Sequence, residues 1–201
     1  LASGKTLLVR QLHGAALRGQ QREKKQKQKK KKKKAKEGEE EEAAAAAEAA
    51  ESASFLETLE TRATVGVELD SIALPGGGRV TLREVGAAMA PMWPAFFGAC
   101  AGVVFVVDAS DAARLPEAAV ELWSLLGAAA LEETPVLVVL SKCDAPAMFG
   151  LDAVRAHLRV DDARRARSAR LDVVAASLAD RESCAPILDW IEGNCTPTVA
   201  L

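Results

Sequence analysis

Val103-Val104-Phe105-Val106-Val107-Asp108 is an apolar run closed by a carboxylate, and Val136-Leu137-Val138-Val139-Leu140 repeats the pattern ahead of Ser141-Lys142-Cys143-Asp144. Neither run alternates. Strands with one face in water alternate apolar and polar residues, whereas unbroken runs suit parallel strands covered on both faces. Between them, residues 112–129 place Leu115, Ala119, Leu122 and Leu126 on one helical stripe. Strand, helix and strand in that order predict a parallel pair joined by a crossover. Downstream, Leu151 to Leu158 reads as a helix, Leu171 to Ala176 as a short strand and Cys184 to Ile191 as a last helix. The chain is therefore expected to be α/β with a mainly parallel sheet.

Upstream the pattern changes. Val65, Val67 and Leu69 alternate with polar neighbours, and Ile72 and Leu74 carry the segment to Pro75-Gly76-Gly77-Gly78. Val80 and Leu82 then resume the alternation, which predicts an antiparallel hairpin with a loop longer than the minimal two residues. Further back, residues 19–60 are low in complexity: a lysine block from Lys24 to Lys36 runs into a glutamate run and then alanines. Such a segment buries too little apolar surface to offset its ordering entropy, so it is expected to be a solvated insertion, disordered or helical on its own. Residues 1–18 read as a loop entering a helix, with Leu7, Leu8, Leu12, Ala15 and Ala16 at helical spacing.

A length of 201 residues and an apolar fraction of 49% fit one globular domain with an appendage. The net charge of -2 gives no global basic field, and the glutamates beside the lysine block oppose nucleic-acid binding there, so no nucleic-acid partner is expected. Cys100, Cys143, Cys184 and Cys195 are scattered with no C-x-x-C pair, which argues against zinc and for free thiols in a reduced compartment. The apolar stretch around residues 94–107 is too short to cross a bilayer, and no secretory signal opens the sequence. A cytoplasmic, soluble monomer is the expectation.

The chemistry starts at Ser3-Gly4-Lys5-Thr6, the tail of G-x-x-x-x-G-K-[ST], at the mouth of the first predicted helix. Gly4 would let backbone amides approach phosphate oxygens, the Lys5 ammonium would neutralise the β and γ phosphates, and the Thr6 hydroxyl would ligate Mg²⁺. Ser3 and Leu7 flank these residues in the same loop and helix start. At the end of a buried strand, Ser141-Lys142-Cys143-Asp144 stands where an N-K-x-D motif would recognise guanine. The Asp144 carboxylate would accept two hydrogen bonds from the base, Lys142 would lie over its plane, and Ser141 replaces the usual Asn.

Together with these motifs, other stretches resemble the ADP-ribosylation factor family. Thr61-Arg62-Ala63-Thr64-Val65-Gly66 is similar to its P-T-[IV]-G segment, and Arg83-Glu84-Val85-Gly86-Ala87 to its W-D-V-G-G. Pro91-Met92-Trp93 with Phe96-Phe97, the run Val104 to Asp111, and Asp189-Trp190-Ile191 match three more of its stretches. The resemblance covers residues 1–18 and about 61–193, leaving 19–60 as the insertion and 194–201 as a tail. It implies a P-loop NTPase fold of the Ras/Arf-like G-domain type, GTP and GDP as ligands, and Mg²⁺ as cofactor. By it, Thr64 would be a second Mg²⁺ ligand, Glu84 would hold the ion through water, Ala87 would offer an amide to the γ-phosphate, and the Ser177-Leu178 loop would meet the guanine carbonyl. It further implies effector and regulator proteins as partners at the switch segments, with peripheral membrane association and a role in membrane traffic. In such a fold a strand precedes the phosphate loop and lies between the strand ending at Val85 and the one starting at Val103. That strand is missing from this chain, so the natural protein is expected to begin earlier.

The chain departs from the family in its second switch. Glu84 is one methylene longer than the usual Asp, Ala87 replaces Gly, and Ala88 stands where a Gln orients the attacking water, so no catalytic residue is assigned. The expected function is a GTP-binding regulatory switch with weak intrinsic hydrolysis. The alternatives are a catalytically inactive nucleotide-binding module and a P-loop kinase using ATP, the latter having no use for Asp144. Asp108 and Asp111 are expected to cap the following helix, and Trp93, Phe96 and Phe97 to pack in the core.

Overall fold

The computed structural model describes residues 5–13, 16, 66–74, 76, 78–98, 100–145, 150–166, 170–177, 180 and 182–195. The expected insertion at 19–60, the tail from 196, and the site candidates Ser3, Gly4, Thr64 and Leu178 lie outside these residues.

Helix α1 covers residues 5–13. Strands β1 (Val67–Ala73) and β2 (Arg79–Val85) follow, then a 3₁₀ turn at Ala87–Met92 and the short α2 (Pro94–Phe97). The second half runs β3 (Val103–Asp108), α3 (Leu115–Leu126), β4 (Val136–Ser141), α4 (Leu151–His157), α5 (Val160–Ala166), β5 (Leu171–Ala176) and α6 (Ala185–Asn194). β1 and β2 form the expected antiparallel hairpin, with Val67 opposite Val85 and Ala73 opposite Arg79. β3, β4 and β5 form a parallel sheet in that order, with Val103, Val136 and Leu171 in register.

β4 is the centre of this sheet, and all six of its residues are buried. Its side chains divide by parity, as a strand requires. Val136, Val138 and Leu140 join the cluster of Leu115, Leu122 and Leu125 from α3 and Val154 from α4. Leu137 and Val139 join the opposite cluster, with Leu8 and Leu12 from α1 and Ile187 and Ile191 from α6. Helices on both faces are what the unbroken apolar run demanded. β3 is less covered, with Val103, Val104 and Val106 only half-buried.

The reason lies at its other edge. Among the described residues β3 bonds to β4 alone and β2 to β1 alone. A cavity of about 690 Å³ separates the two sheets, bordered by Val80, Leu82 and Glu84 on one side and by Val104 and Val106 on the other.

Three details correct the sequence reading. The alternating hairpin residues Val67 and Leu69 are 39% and 64% exposed, while Ile72 and Leu74 are buried in the core and Val80 and Leu82 pack against it. Leu69 borders the open cavity, so it has no opposing layer to pack against. α3 starts at Leu115 and ends at Leu126, shorter than the expected 112–129; Leu115, Leu122 and Leu125 are buried, and Ala119 and Leu126 pack partly buried against the same cluster. Neither aspartate caps the segment that follows β3. Asp111 precedes the 3₁₀ turn at Ala112–Arg114 without a side-chain cap bond. Asp108 instead accepts from the amide and hydroxyl of Ser110, at 3.0 and 2.6 Å. The aromatics do pack: Phe97 is buried, and Trp93 meets the edge of Phe105 at 6.1 Å.

The four cysteines are free. Burial, reinforced by the Asp180 carboxylate, pushes the Cys184 thiol up to about 11. At pH 8 such a thiol is ionised to about one part in a thousand, and thiolate is the reacting form. Native protein treated with iodoacetamide at pH 8 is therefore expected to carry label on the half-exposed Cys143 and none on Cys184 until denaturant is added, as read by peptide mass spectrometry.

Candidate nucleotide site

The parallel order of β3, β4 and β5 sends their carboxyl ends to one edge, where the loops that follow converge. Asp108, Ser141 and Ala176 are paired in register there. α1 and the end of β2 reach the same region. Lys5, Glu84 and Asp108 border one cavity, and Ser141 is the register partner of Asp108.

At the start of α1 the Thr6 hydroxyl donates to Glu84 Oε1 at 2.7 Å, joining residues 78 positions apart. Glu84 is only 8% exposed. Burial pushes the Lys5 ammonium below its ordinary value, against the opposing pull of the Glu84 and Glu121 carboxylates. A half-buried cation at a helix start is an electrostatic arrangement that polyphosphate can enter. Leu7, the next residue of α1, is half-buried against the inner core cluster. Ala87 and Ala88 open the exposed 3₁₀ turn after Gly86 and present no polar side chain. That turn is tethered by the Gly86 amide on Gly66 O at 3.1 Å and by Trp93 Nε1 donating to Gly86 O at 3.3 Å.

The second half of the site follows β4. Ser141 is fully buried, and its hydroxyl donates to Val107 O at 2.9 Å, tying β4 to β3. Lys142 has φ of 56°, a left-handed conformation that costs a non-glycine residue about 1–3 kcal/mol. It is held by its Nζ on Asp108 Oδ2 at 2.6 Å and by the Ala145 amide on Lys142 O at 3.1 Å. Burial alone would raise the Asp108 carboxyl, but bonds from Lys142 and Ser110, with the lysine charge, outweigh it and hold the group below its ordinary value. Asp144, two residues on, is exposed. After β5, the Ser177 amide donates to Ser183 Oγ at 2.9 Å. Sequence reading missed Asp108 as the anchor of Lys142. The signal was the carboxylate closing the first apolar run, one strand away from the lysine. It also missed Glu121, whose helical position gives no hint of its nearness to Lys5.

The cavity between the sheets touches Lys5, Glu84, Ala87 and Ala88 at one end, but Ser141, Lys142 and Asp144 do not line it. It is the gap beside β3, distinct from the loop cluster that would meet a base.

The parallel sheet with helices on both faces and a helix start that carries Lys5 and Thr6 defines an α/β protein. The comparisons make the class specific. Residues 55–195 match the model of the ADP-ribosylation factor family. Human ADP-ribosylation factor-like protein 16 is 33% identical over 136 residues, covering 67% of each chain. Human ADP-ribosylation factor-like protein 4D is 31% identical over 139 residues, covering 66% of this chain and 64% of its own. Among solved structures, the Arl6 BBS3 small GTPase of Trypanosoma brucei, with bound GppNp, superposes with a TM-score of 0.57 at 18% identity, over 69% of this chain and 86% of that one.

The chain belongs to the ADP-ribosylation factor family and is an Arf-like small GTPase. The family match starts at residue 55 and so leaves out Lys5 and Thr6, which are brought to the site by the fold.

Proposed function

We propose that the chain is a magnesium-dependent guanine-nucleotide switch that hydrolyses GTP slowly on its own and depends on a partner protein for turnover. The reading rests on one observation: the Thr6 hydroxyl donates to the Glu84 carboxylate at 2.7 Å beside the half-buried Lys5, and the turn after Gly86 opens with Ala87 and Ala88. The oxygen donors suit Mg²⁺, which takes hydroxyl, carboxylate, phosphate and water ligands. Thr6, Glu84 and Thr64 are the residues assigned to it, and when bound it would neutralise charge on the phosphates. Gly4 and Lys5, with Ser3 and Leu7 beside them, receive the polyphosphate.

Asp144 recognises the guanine edge, with Lys142 beneath it and Ser141 locking the loop to β3. Ser177 and Leu178 close the base side. The Ala87 amide meets the γ-phosphate and reports its presence to the turn and to Trp93. Effectors and regulators read that turn, the protein acts as a cytoplasmic monomer, and peripheral membrane contact fits its relatives.

Ala88 has no group that can orient a water, so the attacking nucleophile is positioned only by solvent. Single-turnover hydrolysis of GTP by the full chain without partners is expected below about 10⁻⁴ s⁻¹, the scale of slow intrinsic G-protein turnover. A partner-free rate well above that scale would contradict the proposal.

A further inference from the structure

Three consecutive residues at the end of β3 grip the end of β4. Val107 O accepts from the Ser141 hydroxyl at 2.9 Å, the Ala109 amide donates to Ser141 O at 2.9 Å, and Asp108 Oδ2 accepts from Lys142 Nζ at 2.6 Å. The Asp108 carboxylate is itself aimed. Its other oxygen, Oδ1, takes both the amide and the hydroxyl of Ser110, which leaves Oδ2 facing the lysine. Lys142 in turn frames the loop beyond it. Its φ of 56° bends the chain, and its carbonyl accepts the Ala145 amide at 3.1 Å, closing a turn that contains the exposed Asp144. A carboxylate on one strand thus holds the side chain from which the next strand's loop starts.

Resting on the guanine-recognition reading above, we propose that Asp108 is a positioning residue for the base. Through the Lys142 ammonium it fixes the lysine stem, and with it the turn that carries Asp144, before nucleotide arrives. A long side chain left free loses rotamer freedom when a ligand covers it, and a left-handed residue without its anchor relaxes to a commoner conformation. A site tied in advance has already met both costs. Asp108 acts on the base only through Lys142.

The test is a double-mutant cycle on the full chain, read as affinity for a fluorescent GDP analogue. Asp108→Asn keeps the shape and an acceptor for Ser110 but removes the charge that holds the ammonium. Lys142→Met keeps the stem and removes the ammonium. Asp108→Asn is expected to weaken GDP binding about tenfold, the scale of one rotamer-rich side chain immobilised at binding. With Lys142→Met already present, the same change is expected to cost less than about twofold. A purely structural role for Asp108 would carry the full loss into both backgrounds and would overturn the proposal, as would a loss below about threefold in the otherwise native chain. Should Asp108→Asn not fold, Ser110→Ala, which releases the bonds that aim the carboxylate, carries the same cycle with a smaller loss. A Ser110→Ala loss that persists beside Lys142→Met overturns the proposal equally. Failure of the wild-type chain to bind GDP at all would instead overturn the switch reading, and this inference with it.

Discussion

Asp144→Ala is expected to lower affinity for GDP and GTP by about 10³-fold or more while leaving the weak affinity for other nucleotides in place. A site that pairs both donors of a base edge with one carboxylate discriminates by the cost of leaving those groups without partners, and truncating the carboxylate removes that discrimination. The side chain is exposed in the free protein, so its loss leaves no cavity and no buried polar group behind. The loop around it is held by other contacts: Lys142 on Asp108, Ser141 on Val107 O and the turn closed by Ala145. The variant should therefore fold and melt like the wild type. Titration of a fluorescent GDP analogue, beside the same titration with an ADP analogue, checks this. Retention of guanine preference in Asp144→Ala would remove the loop from the site.

Lys5→Ala is expected to weaken triphosphate binding by about 30- to 5,000-fold, which corresponds to the 2–5 kcal/mol lost when one partner of a desolvated charge pair is truncated. The effect has two parts. The phosphates lose their nearest cation at the start of α1. Glu84 and Glu121, whose charges act on Lys5 in the free protein, then confront the incoming anion with its cation removed. Repulsion in a half-buried site is screened less than at the surface, so the loss should persist at moderate salt. Isothermal titration with GTP analogues at two salt concentrations measures both parts. A loss of less than about threefold would mean that Lys5 does not face the phosphates.

Much of the fold could be read from the sequence because burial on two faces leaves so plain a mark. The runs at 103–108 and 136–141 became parallel neighbours, and the hairpin formed where the glycine turn separates two alternating stretches. What was illegible concerns environment more than element type. Val67 and Leu69 alternate as core residues do, yet they remain exposed, since alternation says which face is apolar and not whether anything covers it. Asp108 and Asp111 stand where helix caps stand, but the nearby Lys142 and Ser110 compete for the first carboxylate. Of the candidate site, Lys5, Thr6 and Asp144 could be singled out as motif positions. The bond from Thr6 to Glu84 could not, because it joins segments 78 positions apart whose approach is decided only by tertiary packing. The left-handed Lys142 was equally hidden, since nothing in its neighbours' identities demands positive φ.

The measurement closest to the central claim is equilibrium binding of guanine against adenine nucleotides to the full chain in the presence of magnesium. The account predicts that GDP and GTP bind at least about 100-fold more tightly than ADP and ATP, since pairing with a base edge is worth about 3 kcal/mol or more. Equal affinity for the two bases, a preference for adenine, or no binding of either would contradict it.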